Sequence, residues 1–182
     1  KMEKLEIKKV VAIGIGAAVY IILSRFAAIP TPIPNTTLQV TYAFLALMAF
    51  IYGPTVGLGI GLIGHTISDM TAYGSPWFSW IIVTGFFGFC IGILGNKLKM
   101  DGFGKVKIVK FIIGEAIICI IGWGILAPIL DILIYKEPAN KVFAQGIFAG
   151  ISNMLVVGIL GTILIYTYSK SIVSKGSLKK ED

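Results

Sequence analysis

Six long apolar runs, separated by short segments rich in proline, glycine and lysine, set the pattern of this chain. The first extends over about residues 8–28 and stops at Pro30, Pro32 and Pro34, which cannot continue a helix. The second, about 39–52, ends at Gly53-Pro54, and the third, about 55–73, is rich in glycine and ends at Gly74-Ser75-Pro76. The remaining runs cover about 77–94, 106–134 and 142–168. A membrane-crossing helix needs about 20 predominantly apolar residues. The pattern therefore predicts an all-α integral membrane protein, a single domain of six transmembrane helices that uses nearly the whole of residues 1–182. Pro128 lies near one end of the long fifth run and reads as a kink rather than a break.

Composition agrees with that picture and charge orients it. Hydrophobic residues make up 56% of the chain and charged residues 14%, against about 25% charged in soluble domains. The formal charge of +7 is carried by lysine clusters between apolar runs, with no basic face interleaved with aromatics, so it argues topology rather than nucleic-acid binding. One side collects Lys4, Lys8 and Lys9, then Lys97, Lys99, Lys105, Lys107 and Lys110, then Lys170, Lys175, Lys179 and Lys180. The other side has Arg25, Lys136 and Lys141. Lysine and arginine accumulate on the cytoplasmic side, which predicts cytoplasmic termini and an outward-facing proline loop, 74–77 turn and 135–140 loop. The stretch from Val10 to Ile29 is too long for the apolar part of a signal peptide and reads as a retained first helix; Lys1, ahead of Met2, reads as a remnant.

Candidate chemistry then gathers in the outer half. His65 and Asp69 stand at i,i+4 on one helix face, with Tyr73 a turn further out. Ionisable groups in a membrane normally face the bundle interior or a cavity, so a ligand role competes with a polar clamp between helices. Trp77 and Trp80 share a face and offer either an interfacial belt, which suits Phe78, or a stacking platform for a planar ligand. Asp131, Lys141 and Gln145 lie near the same mouth, whereas Glu115 and Asn153 suit hydrogen bonds across helices. On the first helix Ala12 with Gly16, and Gly14 with Ala18, recur at the spacing that lets another helix approach closely, and the outer site leaves them free for a partner subunit.

Other classes fare worse. Cys90 and Cys119 lie inside apolar runs and suggest neither a disulfide framework nor a metal site, and no cofactor is implied. Gly102-Phe103-Gly104-Lys105 is too short for a phosphate-binding loop, so the chain cannot hydrolyse ATP alone. An intramembrane hydrolase would pair Ser152 with His65, the one histidine, but Asn153 follows the serine where a small residue is wanted. A stand-alone carrier predicts inverted repeats, and none is clear.

The run Gly53-Pro54-Thr55-Val56-Gly57, Gly61, Ile63-Gly64-His65, Asp69 and Tyr73-Gly74-Ser75-Pro76-Trp77-Phe78-Ser79-Trp80, after the Ile29-Pro30-Thr31 and Ile33-Pro34-Asn35 loop, resembles a known family. It is similar to the substrate-binding S components of energy-coupling factor (ECF) transporters, in the riboflavin-type, UPF0397-like branch. The resemblance implies a multi-pass protein of the bacterial plasma membrane, not an enzyme, that captures a vitamin-like molecule beneath the loop between helices one and two. Asn35 and Gln39 in that loop join the implied site. The implied partners are a transmembrane T component and two ATPase subunits. Family members dock through Ala-x-x-x-Ala on the first helix, where this chain has Ala12-Ile13-Gly14-Ile15-Gly16. Riboflavin is the first candidate ligand; a pyrimidine, queuosine or methionine-related precursor is the alternative.

Overall fold

Glycine and proline decide where the helices stop and how closely they pack. A computed structural model of the chain describes residues 2–32 and 36–177. Ile33, Pro34, Asn35, Lys179 and Lys180 lie outside the described residues. Six helices follow in order: α1 (Met2–Phe26), α2 (Thr41–Tyr52), α3 (Pro54–Tyr73), α4 (Phe78–Leu98), α5 (Lys105–Tyr135) and α6 (Ala139–Ile172), the last continuing helically to Ser177. Gly53, at φ +90°, makes the corner between α2 and α3, with Pro54 opening the next helix. Gly74 closes α3 in the left-handed conformation that C-terminal caps favour.

Four of these helices, over Glu6–Phe26, Phe78–Leu98, Lys105–Tyr135 and Ala139–Ile172, are long and apolar enough to cross a membrane. At 12 residues α2 extends only about 18 Å, well short of a hydrocarbon core of about 30 Å. A small hairpin precedes it. Strands β1 (Ala28–Pro30) and β2 (Thr37–Gln39) pair antiparallel, Ala28 opposite Gln39 and Pro30 opposite Thr37. The second helix therefore starts later than the expected residue 39, because the prolines hold their neighbours extended and β1 offers Thr37–Gln39 a strand to pair with.

The tightest seam joins α3 to α4. Gly57 and Gly88 face each other so closely that a Cβ on either would collide with the carbonyl of the other. A turn away, a Cβ on Gly61 would lie 2.7 Å from the Thr84 carbonyl oxygen. Small residues let the two backbones touch, the usual solution where lipid supplies no hydrophobic drive between helices. Helix α1 lies on the other side of α3, with Ile13 over Gly59 and Tyr20 over Gly64.

That second seam corrects the expectation for the docking residues. Ala12 and Gly16 are buried, and a Cβ on Gly16 would strike Ile60 of α3. Gly14 and Ala18 remain on the open face. Four-residue spacing identifies small positions without telling an inner stripe from an outer one, and here Ala12 and Gly16 serve the bundle.

Two helices are not α-helical throughout. α5 widens into a π segment at Ile120–Leu126, and α6 does so at Val157–Gly161. The first lies just ahead of Pro128, whose ring would otherwise press on the carbonyl four residues back; the wider turn relieves that clash without ending the helix. Glu115 is fully buried between them, its Oε2 accepting from Cys119 Sγ at 3.5 Å and its Oε1 close to Gly158 of α6.

Candidate ligand-binding site

The hairpin, the α3–α4 turn and the α5–α6 loop meet at one end of the bundle, opposite the end where Lys97, Lys99, Lys105 and Lys170 lie. A cavity of about 340 Å³ opens there. Its lining includes Gln39, His65, Asp69, Tyr73, Trp77, Trp80, Asp131, Lys141 and Gln145, so nine expected residues from five segments converge, while Asn35 lies outside the described residues.

Asp131 holds the wall of this cavity together. Its carboxylate, 2% exposed, accepts from Trp77 Nε1 at 2.7 Å, from Trp80 Nε1 at 2.9 Å and from the Ser79 hydroxyl. Charged acceptors strengthen such bonds to about 1.5–3 kcal/mol each, so this carboxylate clamps the start of α4 to the end of α5. The indoles therefore act first as donors. Trp77 also stacks on Tyr135 at a ring separation of 4.1 Å, which occupies one of its faces. Phe78 points outward at 53% exposure, as a belt residue would, while its N–H donates to the Tyr135 hydroxyl.

A second network starts from the same Trp77 and runs along α3. Asp69 Oδ2 accepts the Trp77 backbone N–H at 3.0 Å, which fixes the α3–α4 turn. Its Oδ1 lies 3.4 Å from His65 Nε2. His65 Nδ1 is 2.7 Å from Thr84 Oγ1, and Tyr42 OH reaches the same hydroxyl at 3.1 Å. Beneath them Tyr42, Phe87 and Trp123 pack edge to face and tilted, with Tyr42 and Trp123 4.7 Å apart. Of the three, Tyr42 lines the cavity and the other two pack behind it in the core.

Several lining residues escaped the sequence reading. Tyr42 lies in the first turn of α2, three residues after Gln39 of β2, and Glu137 pairs with Lys141 at 2.7 Å in an i,i+4 ion pair that the spacing signals. Asn153, read as a cross-helix bond, lines the cavity on the stripe of Gln145 and Ala149. Thr36, Thr37, Ser75 and Val142 carried no distinguishing signal. Ser152 is buried and is not among the lining residues, so it does not share the cavity with His65.

Comparison with known proteins follows the same line. The family model for "ECF-type riboflavin transporter, S component" matches residues 4–170. A UPF0397 protein of Exiguobacterium sp. (strain ATCC BAA-1283 / AT1b) is 55% identical over 183 aligned positions, covering 99% of this chain and all of that protein. A UPF0397 protein of Staphylococcus aureus (strain Newman) is 51% identical over the full length of both.

Proposed function

Because the chain belongs to the ECF-type riboflavin transporter S component family, we propose that it is the substrate-capture subunit of an ECF-type importer, taking a vitamin or vitamin-like heterocycle into the cavity under the hairpin. The observation that carries this reading is the convergence of polar and aromatic groups from five segments on one cavity, at the end away from the lysine clusters. Binding sites for small molecules combine apolar walls with a few placed polar groups in this way. Riboflavin is the first candidate on the family's name; a pyrimidine, queuosine or methionine-related precursor fits the same role. A T component and two ATPase subunits supply the energy, since the chain has no phosphate-binding loop.

In this reading one six-helix domain crosses the plasma membrane with both termini inside. A cysteine placed at Lys99 should resist an impermeant thiol reagent added to intact cells and react after lysis. Labelling from outside would reverse the topology.

Docking then falls to the open face of α1, where Gly14 and Ala18 lie between Val11, Ile15 and Ile22, each more than half exposed. A paired experiment tests capture and docking together. Mass spectrometry of the purified chain should find a copurifying heterocycle, visible as flavin absorbance if it is riboflavin. Gly14→Leu should retain that molecule yet support less than about a tenth of wild-type uptake, because bulk there keeps a partner helix away without reaching the cavity. A chain that carries no small molecule and binds none from a vitamin panel would overturn capture; equal loss of binding and uptake in Gly14→Leu would overturn the division of labour.

A further inference from the structure

We infer that the cavity rejects anions and takes an uncharged or protonated nitrogen heterocycle that donates an N–H to Asp69. This rests on the capture reading above and narrows its substrate class. Two observations carry it independently.

The first is charge. Among the described residues, and apart from Tyr42 and Tyr73, the cavity's ionisable side chains are the carboxylates of Asp69, Asp131 and Glu137, against Lys141 and His65. The ammonium of Lys141 is already matched by Glu137 at 2.7 Å. All three donors to Asp131 are neutral groups, so no cation offsets its charge. Even an imidazolium at His65 would leave the lining with a surplus of negative charge. Arg25 and Lys136, nearby in the chain, are exposed and line none of it. A phosphate or carboxylate brought within a few ångströms of such a surplus, in a cavity walled partly by Tyr42, Trp77 and Trp80, meets repulsion that lowers affinity on the order of a hundredfold.

The second is the direction of the hydrogen bonds. The Thr84 hydroxyl lies 3.0 Å from the Trp80 carbonyl, 3.1 Å from Tyr42 OH and 2.7 Å from His65 Nδ1, which ties one edge of the imidazole into the protein. On the other edge of the ring Nε2 faces Asp69 Oδ1 at 3.4 Å, while Asp69 Oδ2 accepts the Trp77 backbone N–H, so the carboxylate offers the cavity acceptor oxygens only. The Asp69 carboxylate thus lines the cavity with acceptor capacity to spare. An imide, amino or amidine N–H can donate to it; an anionic oxygen cannot.

Matched ligand pairs test this on the purified chain in detergent, stripped of bound small molecules and followed by tryptophan quenching. The pairs are riboflavin with its 5′-phosphate, and 6-hydroxymethylpterin with pterin-6-carboxylate. In each pair that binds, the uncharged member should be tighter by about a hundredfold. Asp69→Asn keeps the shape and removes the charge, and should shrink that ratio at least tenfold. Glu137→Gln, at the rim, should shrink it about threefold and serves if Asp69→Asn does not fold. Anionic members within tenfold of their partners, or a ratio that neither variant moves, overturn this inference and leave capture standing. Where neither pair binds, the molecule that copurifies decides: a phosphate or carboxylate group in it overturns the inference, and an uncharged or cationic nitrogen heterocycle supports it. A chain that binds no probe and carries no molecule overturns capture itself, and the inference with it.

Discussion

Asp131→Ala should unlatch the cavity end of the bundle, lowering the unfolding free energy by about 4 kcal/mol and ligand affinity by more than about a hundredfold. The substitution strips the acceptor from two indole N–H groups and one hydroxyl at once, each a charge-assisted bond of about 1.5–3 kcal/mol, and leaves the buried Ser79 hydroxyl without its partner. For a chain of this size that corresponds to a fall in Tm of about 10 °C, read by thermal unfolding in detergent. Asp131→Asn should fall between, because its amide keeps one acceptor oxygen but turns an NH₂ group toward the same donors. A wild-type Tm in Asp131→Ala would mean that the three bonds contribute nothing net, and the account of the cavity wall given above would have to be abandoned.

A larger effect is expected at the seam between α3 and α4. Gly88→Leu places a side chain where the Gly57 carbonyl stands, and the obstacle is backbone, so no rotamer change relieves it. Overpacking a well-filled interior costs about 1–3 kcal/mol when side chains can shift, and more when they cannot. Separating the two helices would also break the bond from Trp77 N–H to Asp69 that fixes their turn. Gly88→Leu should therefore reduce monodisperse folded protein at least tenfold on size-exclusion chromatography, with Gly57→Leu behaving alike. Gly14→Ala is the control: nothing lies within 4 Å of its added Cβ, and it should match or exceed wild type. Equal yields from Gly88→Leu and Gly14→Ala would contradict the close approach.

Much of this was legible in the sequence because the deciding signals are local. The six runs fell where helices stand, since proline and glycine act on their own residues and near neighbours. The lining was legible for a related reason: polar side chains in an apolar run need a polar place to go, and nine of them found the same one. Pairings across the chain were not legible. Trp77 and Trp80 share a face, which suggested a stacking platform, yet their N–H groups converge on a carboxylate more than 50 residues away. Ala12 and Gly16 looked free because nothing near them in sequence announces Ile60. The hairpin is missed for the same cause, since strands of three residues carry no measurable period of their own.

The π segment of α5 has a consequence for angular phase. Glu115 and Asp131 are 16 positions apart, about 4.4 turns of a regular α-helix, which would leave them on nearly opposite sides. Both are nevertheless turned into the protein, because the wider turns of Ile120–Leu126 advance less angle per residue and bring the second carboxylate back round. One helix thereby serves two separate polar compartments. The number of residues between them is fixed as firmly as their identity, although none of those residues lines the cavity.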